Sequence, residues 1–477
     1  MSRLFGTDGI RGQANRWPLT ADFALKMGQA AAQVVRRNGV IRPQVVIGRD
    51  PRLSGRMLES ALAAGLMSQG VDVMLAGVIT TPGVAYLTRV YRAQLGIVIS
   101  ASHNPFDHNG IKVFGANGFK IPDETEIEIE RLLLDADLES GGADATGLGR
   151  SWDAGDWRQE YVDHLVGVWA DRNPPSERKG ADRNPPSERK GGADHLLQGK
   201  RIVLDCANGA TAAIAPEVFH RLGAEVVAME SAPDGININE HYEYIRPESL
   251  RAAVLREQAF AGVAFDGDGD RVMLVDEKGG FLNGDALLAI LARDMKRQGW
   301  LTNNAVVSTP MSNWGLKASL EEAGIRLEET SVGDRFVLQR MIEENYALGG
   351  EQSGHIILLR DGQTTGDGIY TALAVLQVTQ SEPGQSLSVL GACIREFPEC
   401  LVNIDVPSKP PLQTIPEVQA ALQRLREALG DNVDITLRYS GTESKLRLKI
   451  RAGEEHDQQA LESEAQAFMD VAKRAIR

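Results

Sequence analysis

A chain of 477 residues with 43% hydrophobic content is too long for one hydrophobic core and is expected to fold as about three to four domains. Its 65 acidic residues against 51 basic ones give a formal net charge of −14, which argues against generic nucleic-acid or anionic-membrane binding, because such partners attract basic faces. Met1–Gly12 lacks the apolar core of a signal peptide, and no uninterrupted run of about 18 apolar residues occurs, so a soluble cytoplasmic protein is expected.

In chain order, FGTDGIRG offers Arg11 between glycines, and GRDPRLSG offers Arg49 and Arg52. A guanidinium fork in a glycine-rich turn suits an oxyanion, although each arginine alone reads equally as half of a structural ion pair. Three segments then share one plan: a strand, a turn, an apolar-periodic helix ended by glycine, and a second strand. Val45–Asp50 leads through Gly70 to Val71–Leu75, Arg201–Asp205 through Gly223 to Ala224–Ala228, and Ala305–Ser308 through Gly324 to Ile325–Glu328. Three such units predict three sheets with crossover helices.

Within the first unit, Gly96–Ser100 reads as a buried strand and Ala101–Gly110 as a small polar loop. Ser102 therefore stands at a strand's carboxyl end, where ligands bind in open α/β sheets. Lys112, on the returning strand, is spaced to point back at the same place, though a lone lysine there is usually a surface residue. Residues 170–191 repeat ADRNPPSERKG without change, a charged block with no apolar face that reads as a disordered surface insertion. Cys206, Cys393 and Cys400 are too few and too irregular for a disulfide framework or a zinc site, and Cys206 reads as packing.

Asp266, Asp268 and Asp270 alternate with glycines in AFDGDGDRVMLVDE. Fully extended, the outer two would stand about 13 Å apart, so the glycines must curl the backbone for one cation to join all three carboxylates. Hard oxygen ligands of this kind suit magnesium. An EF-hand is rejected: Glu277 falls at the twelfth position, but Arg271 occupies the sixth, where glycine is required, and the flanks are strand-like. In GGEQSGH, Glu351 and Ser353 can hydrogen-bond sugar hydroxyls or an amine, with His355 just beyond. The last ~90 residues read as an α+β unit in which helix Pro416–Leu429 precedes strands Val433–Tyr439 and Lys445–Arg451. Arg438, Ser440, Gly441 and Thr442 form the tip between those strands, a candidate anion nest, and Arg447 follows on the second strand.

Taken together, SASHNP, DGDGDR, GEQSGH and RYSGTE in this order resemble the α-D-phosphohexomutase superfamily, and FGTDGIRG, GRDPRLSG and GEQSGH look like its phosphoglucosamine mutase branch. Hexose mutases acting on glucose or mannose usually show Met where Gln352 stands. The resemblance implies an α/β protein of four domains around a central cleft, three with mixed sheets and crossover helices plus a smaller α+β carboxyl-terminal domain. The corresponding division is 1–158, 159–280, 281–385 and 386–477.

It also implies roles. Ser102 would be the phosphoserine. Asp266, Asp268, Asp270 and the Ser102 phosphate would hold one Mg²⁺ per active site, Glu351 and Ser353 would read the sugar, and Arg438, Ser440, Gly441, Thr442 and Arg447 would grip the non-reacting phosphate. A phosphoserine dianion beside three aspartates carries about five negative charges, so Arg11, His103 and Lys112 are expected close by as countercharge. Lys112 and His355 are the candidates for a general base. The implied reaction interconverts glucosamine 6-phosphate and glucosamine 1-phosphate through glucosamine 1,6-bisphosphate, feeding amino-sugar synthesis for the cell envelope. Its alternatives are a phosphoglucomutase or phosphomannomutase, and a catalytically impaired sugar-phosphate binding homologue. The expected partner is a small phosphosugar, with no nucleic acid or membrane, and a homodimer stays open. One departure stands out: Tyr242, Glu243, Tyr244, Ile245 and Arg246 replace the branch's usual Cys-Gly-Ser-Thr-His, a change that could weaken activity.

Overall fold

The computed structural model describes residues 4–6, 8–37, 39–134, 142–153, 157–170, 196–240, 247–381, 384–440 and 444–476. Residues 171–191 of the tandem repeat and the departure at 242–246 lie outside these.

The strands form four sheets. The first has six strands in the order Ile10–Gln13, His108–Gly115, Leu95–Ile99, Gln44–Arg49, Asp72–Val78 and Ser151–Asp153. It is mixed: Leu95–Ile99 runs parallel to Gln44–Arg49 and antiparallel to His108–Gly115. The second sheet orders Phe281–Leu282, Val272–Val275, Ala261–Phe265, Arg201–Asp205 and Glu225–Met229, and the third Arg326–Glu329, Ala305–Ser308, Leu348–Gly350 and Ile356–Leu358. Each joins parallel strands and then turns back on itself with an antiparallel one. The fourth is smaller and antiparallel, with Lys445–Ala452 between Glu399–Asp405 and Val433–Tyr439. The α/β plan with an α+β end is therefore met.

In all three expected units the second strand begins one residue later than its apolar run suggests, for a single reason. The glycines Gly70, Gly223 and Gly324 adopt positive φ. The next residue then spends its N–H on the preceding helix: Val71 on Leu66 O, Ala224 on Phe219 O and Ile325 on Leu320 O. This is a Schellman closure, which removes that residue from the ladder.

One hydrophobic core runs through the first three units, with Val98, Tyr161, Ile202, Leu287 and Leu373 in a single cluster. Helix Trp157–Ala170 stitches it together. Tyr161 donates to Asp367 Oδ2 at 2.6 Å, and the Trp169 ring lies 5.2 Å from Tyr370. The carboxyl-terminal unit has its own core of Leu446, Leu448, Ile450, Leu461 and Phe468. Among the described residues no helix is long and apolar enough to cross a membrane. The three cysteines are free, and Cys206 is buried.

On the outer face of the first sheet, helices Ala21–Arg36 and Gly55–Ser68 cross through reciprocal glycines. A Cβ at Gly28 would lie 2.3 Å from Leu62 O, and one at Gly65 would lie 2.0 Å from Leu25 O. Gly65→Ala improves helix propensity by about 1 kcal/mol, yet the forced separation should outweigh that gain. A net loss of about 2 kcal/mol in chemical denaturation is expected; a stabilised variant would show that the helices do not meet backbone to backbone.

Candidate active site

Ser102 sits just past the carboxyl end of Leu95–Ile99, 1% exposed, with φ +53°. A non-glycine residue in the left-handed region persists only where its surroundings hold it. Here they do. Its N–H donates to Ser100 Oγ at 2.9 Å, and that hydroxyl donates to Asp50 Oδ2 at 2.6 Å. Its carbonyl accepts from Arg52 Nη2 and from Asn239 Nδ2, both at 2.9 Å, and the same two groups donate to Asn104 O at 2.7 and 2.9 Å. Arg52 is wholly buried, with Nε on Asp50 Oδ2 at 2.8 Å and Nη1 on His108 O at 3.1 Å. Arg49 pairs with Glu59 at 3.2 Å. Neither is available to a phosphate: the structural reading of GRDPRLSG is the right one, and Arg52 serves the serine by holding its loop.

The aspartate loop curls as its glycines require. Gly269 has φ +71°, and its N–H donates to Asp266 O at 3.2 Å. A ligand atom from each of Asp266, Asp268 and Asp270 lies within 4.8 Å of the others, and all three residues are buried. Ser102 Oγ donates to Asp266 Oδ2 at 2.5 Å, and Thr81 Oγ1 donates to Asp268 Oδ2 at 2.7 Å. Burial and the charges of Asp270 and Asp268 push the Asp266 carboxyl well above its usual range. Asp270 moves the other way: burial alone would raise it, but Lys112 and His355 hold it well below. Unsplit repulsion among three carboxylates is what a dication relieves. Asp268 Oδ1 and Asp270 Oδ1 are buried without hydrogen-bond partners. The donor set is all oxygen, convergent and under-coordinated, and it fits a hard divalent cation.

Lys112 does point back into this site. Its ammonium lies 2.9 Å from Asp268, 3.0 Å from Asp270 and 3.0 Å from Asp8. It belongs to a closed ring of alternating charge. Asp270 is 3.6 Å from His355 Nδ1, His355 Nε2 is 3.6 Å from Asp334, and Lys120 joins Asp334 to Asp8, lying 2.6 Å from the latter. Arg11 pairs with Asp8. Although burial opposes it, the surrounding carboxylates raise the pKa of both Lys112 and His355. Beside an unmodified Ser102, His103 is no cation: its Nδ1 lies 3.4 Å from Oγ, and burial, with Arg271 and Arg11 near, lowers it to about 2. Arg271 lies against the same triad, with Nε 3.9 Å from Asp270 Oδ1 and its backbone N–H donating to Asp266 Oδ1 at 3.1 Å.

Glu351 and Ser353 lie in a tight loop between Leu348–Gly350 and Ile356–Leu358. Ser353 Oγ donates to Glu351 Oε2 at 3.3 Å, and Gly333 N–H donates to Oε1 at 3.2 Å. Arg438 and Arg447 are directly paired across the last two strands, and burial together with the Arg447 charge lowers the Arg438 pKa, against an opposing pull from Glu351. Two guanidiniums opposite one another repel, which an anion between them relieves. Ser440 is buried and its carbonyl accepts from Lys409 Nζ at 2.7 Å, while Gly441 and Thr442 lie outside the described residues. Sequence reasoning missed Asp8, Lys120, Asp334, Arg271 and Asn239. Asp8 and Arg271 stand inside quoted motifs; the others carry no local signal.

Four family models match in succession: the phosphoglucomutase/phosphomannomutase α/β/α domains I, II and III over residues 2–139, 192–280 and 283–397, and the carboxyl-terminal domain over 401–471. The chain is 46% identical to a phosphoglucosamine mutase of Syntrophus aciditrophicus, covering 94% of this chain and 95% of that one. It is 44% identical to another from Anaeromyxobacter sp., covering 99% and 96%. Its fold is similar to a phosphoglucomutase/phosphomannomutase family protein of Burkholderia thailandensis, with a TM-score of 0.77, 24% identity, and 100% and 99% of the two chains covered. It also resembles an Aspergillus fumigatus N-acetylphosphoglucosamine mutase solved with GlcNAc-6P and magnesium, with a TM-score of 0.65, 16% identity, and 99% and 96% covered.

Arg52→Lys tests the support of the serine loop. A single ammonium cannot replace a buried fork that bonds Asp50, Ser102, Asn104 and His108, so a loss of about 3 kcal/mol is expected in urea unfolding. A variant as stable as the parent would show that the loop is held from elsewhere.

Proposed function

The chain belongs to the phosphohexomutase superfamily, among its phosphoglucosamine mutases, and from that premise we propose that it interconverts glucosamine 6-phosphate and glucosamine 1-phosphate through a phosphorylated Ser102. It is an enzyme of the isomerase class that works by phosphoryl transfer. The observation that carries the reading is the Ser102 hydroxyl, 2.5 Å from Asp266 in a buried aspartate triad with a lysine ammonium against it.

In the proposed cycle the Ser102 Oγ–P bond breaks as the hydroxyl at carbon 1 of glucosamine 6-phosphate forms its own bond to phosphorus, and the proton that this hydroxyl loses is balanced by the one Ser102 Oγ takes up as it returns to a free hydroxyl. The product is the 1,6-bisphosphate. It turns end for end, the bond between the carbon 6 oxygen and phosphorus breaks as Ser102 Oγ bonds to phosphorus, and the proton Ser102 gives up is balanced by the one the carbon 6 oxygen gains, leaving glucosamine 1-phosphate. Asp266, Asp268 and Asp270 would hold Mg²⁺, which when bound supplies the charge that a phosphoserine dianion beside those carboxylates requires. Arg11, Lys112 and Arg271 add countercharge around the transferring group, and His355 steadies Asp270. Arg52 and Asn239 fix the serine so that attack is in line. Glu351 and Ser353 meet the sugar, where a carboxylate is the natural partner of an ammonium at carbon 2. Arg438 and Arg447, with Ser440, Gly441 and Thr442, hold whichever phosphate is not reacting. Burial of Ser102 keeps water from its phosphate.

Two measurements test this. Comparing kcat/KM for glucosamine, glucose and mannose 6-phosphates should favour the amino sugar, and Glu351→Gln should cut that preference about tenfold; a parent enzyme that prefers a neutral hexose would refute the substrate assignment. Ser102→Ala should unfold at the parent's temperature and have no detectable turnover, and near-parental activity in that variant would refute the nucleophile.

A further inference from the structure

Gln352 lies between Glu351 and Ser353, the two residues placed above against the sugar. It faces elsewhere. Its Nε2 donates to Glu399 Oε1 at 3.0 Å, on the first strand of the carboxyl-terminal unit, and Glu399 Oε2 is 2.7 Å from the buried ammonium of Lys449. The Gln352 backbone is fixed too. Its carbonyl accepts from Gly284 N–H at 3.1 Å, at the start of helix Gly284–Arg297, and a Cβ at Gly284 would lie 2.1 Å from Glu351 O.

The point Gln352 reaches lies where the chain enters the last unit. Two residues earlier, Phe397 exchanges hydrogen bonds with Asn313, both at 2.9 Å. Glu399 is paired across the sheet with Arg451, which reaches back to the third unit through Glu329 at 2.6 Å and Ser312 O at 3.2 Å. Neighbouring residues on adjacent strands thus contact the third unit at separate points, which fixes the tilt of the strand pair as well as its position. Arg447 lies four residues along the same strand as Arg451, about 13 Å away at extended spacing.

We propose that Gln352 is a positioning residue that sets the distance between the sugar loop and the carboxyl-terminal arginines, and that it takes no part in reading the substituent at carbon 2. This rests on the reading above, in which Glu351 and Arg438 with Arg447 hold two ends of one substrate. A brace of this kind acts on every phosphosugar alike.

The test measures KM and kcat with glucosamine 6-phosphate and glucose 6-phosphate. Gln352→Met should raise KM about tenfold for both sugars, with kcat within about twofold and their ratio of kcat/KM unchanged. Gln352→Glu sets a carboxylate against Glu399 and should do worse. Combining it with Glu399→Gln removes the like-charge contact and reverses donor and acceptor; since Lys449 then loses the Glu399 carboxylate, part of the lost KM should return, a rescue that a general loss of structure does not produce. Should the charged exchange fail to fold, Gln352→Met alone decides the matter. Unchanged KM in Gln352→Met, a shift of preference toward glucose 6-phosphate, or no recovery in the double exchange would overturn the proposal. A parent enzyme that prefers glucose 6-phosphate would fail the substrate assignment alone, since the brace can still be read with that sugar.

Discussion

Carboxylates buried around one hydroxyl set the terms for the rest of this molecule. Asp266, Asp268 and Asp270 are buried beside Ser102, the half-buried Asp8 and Asp334 join them through Lys112 and His355, and charges so placed survive burial only with partners. Lys112, Lys120, His355 and Arg11 supply them, and they come from different parts of the chain. Asp8 and both lysines belong to the first unit, the aspartate triad to the second, and Asp334 and His355 to the third. The ring of alternating charge is therefore also a joint, and the cleft it lines cannot be built by one unit alone. Removing a member should cost more than its own contact, because it strands a buried charge on the other side.

The same electrostatics ties fold to chemistry. The Ser102 carbonyl is held by Arg52 from its own unit and by Asn239 from the next, so the serine and the aspartate loop are fixed relative to one another through the backbone as well as through Ser102 Oγ on Asp266. The carboxyl-terminal unit stands apart from this joint. Its core is its own, and its contacts with the third unit are polar: Asn313 with Phe397, Arg451 with Glu329, and Gln352 with Glu399. The unit is thus anchored near its entry and free of the main core.

What could be read from the chain beforehand follows physical lines. Ser102 was legible because a β-branched run ending in small polar residues is a local pattern, and the aspartate triad because Asp-Gly alternation has few other uses. The helix-closing glycines were legible for the same reason, and only the N–H spent on the closure moved each strand start. Asp334 and Lys120 were not legible. Each is an isolated charge in an ordinary polar context, given meaning by residues outside its own motif: Lys120 by Asp8 and Asp334, and Asp334 by Lys120 and His355. Arg52 looked like an anion ligand because a guanidinium fork suits backbone carbonyls as well as phosphate oxygens, and only the fold decides between them. The contact of Gln352 was not legible either, since its partner Glu399 stands 47 positions further along the chain.

The most direct test of the account follows the phosphoryl group itself. Protein phosphorylated at Ser102, as established by peptide mass, is mixed with glucosamine 6-phosphate without any other phosphoryl donor. The account predicts that phosphate leaves Ser102 and appears, mole for mole, as glucosamine 1,6-bisphosphate. Its release as inorganic phosphate, or turnover by protein whose Ser102 never carries phosphate, would contradict it.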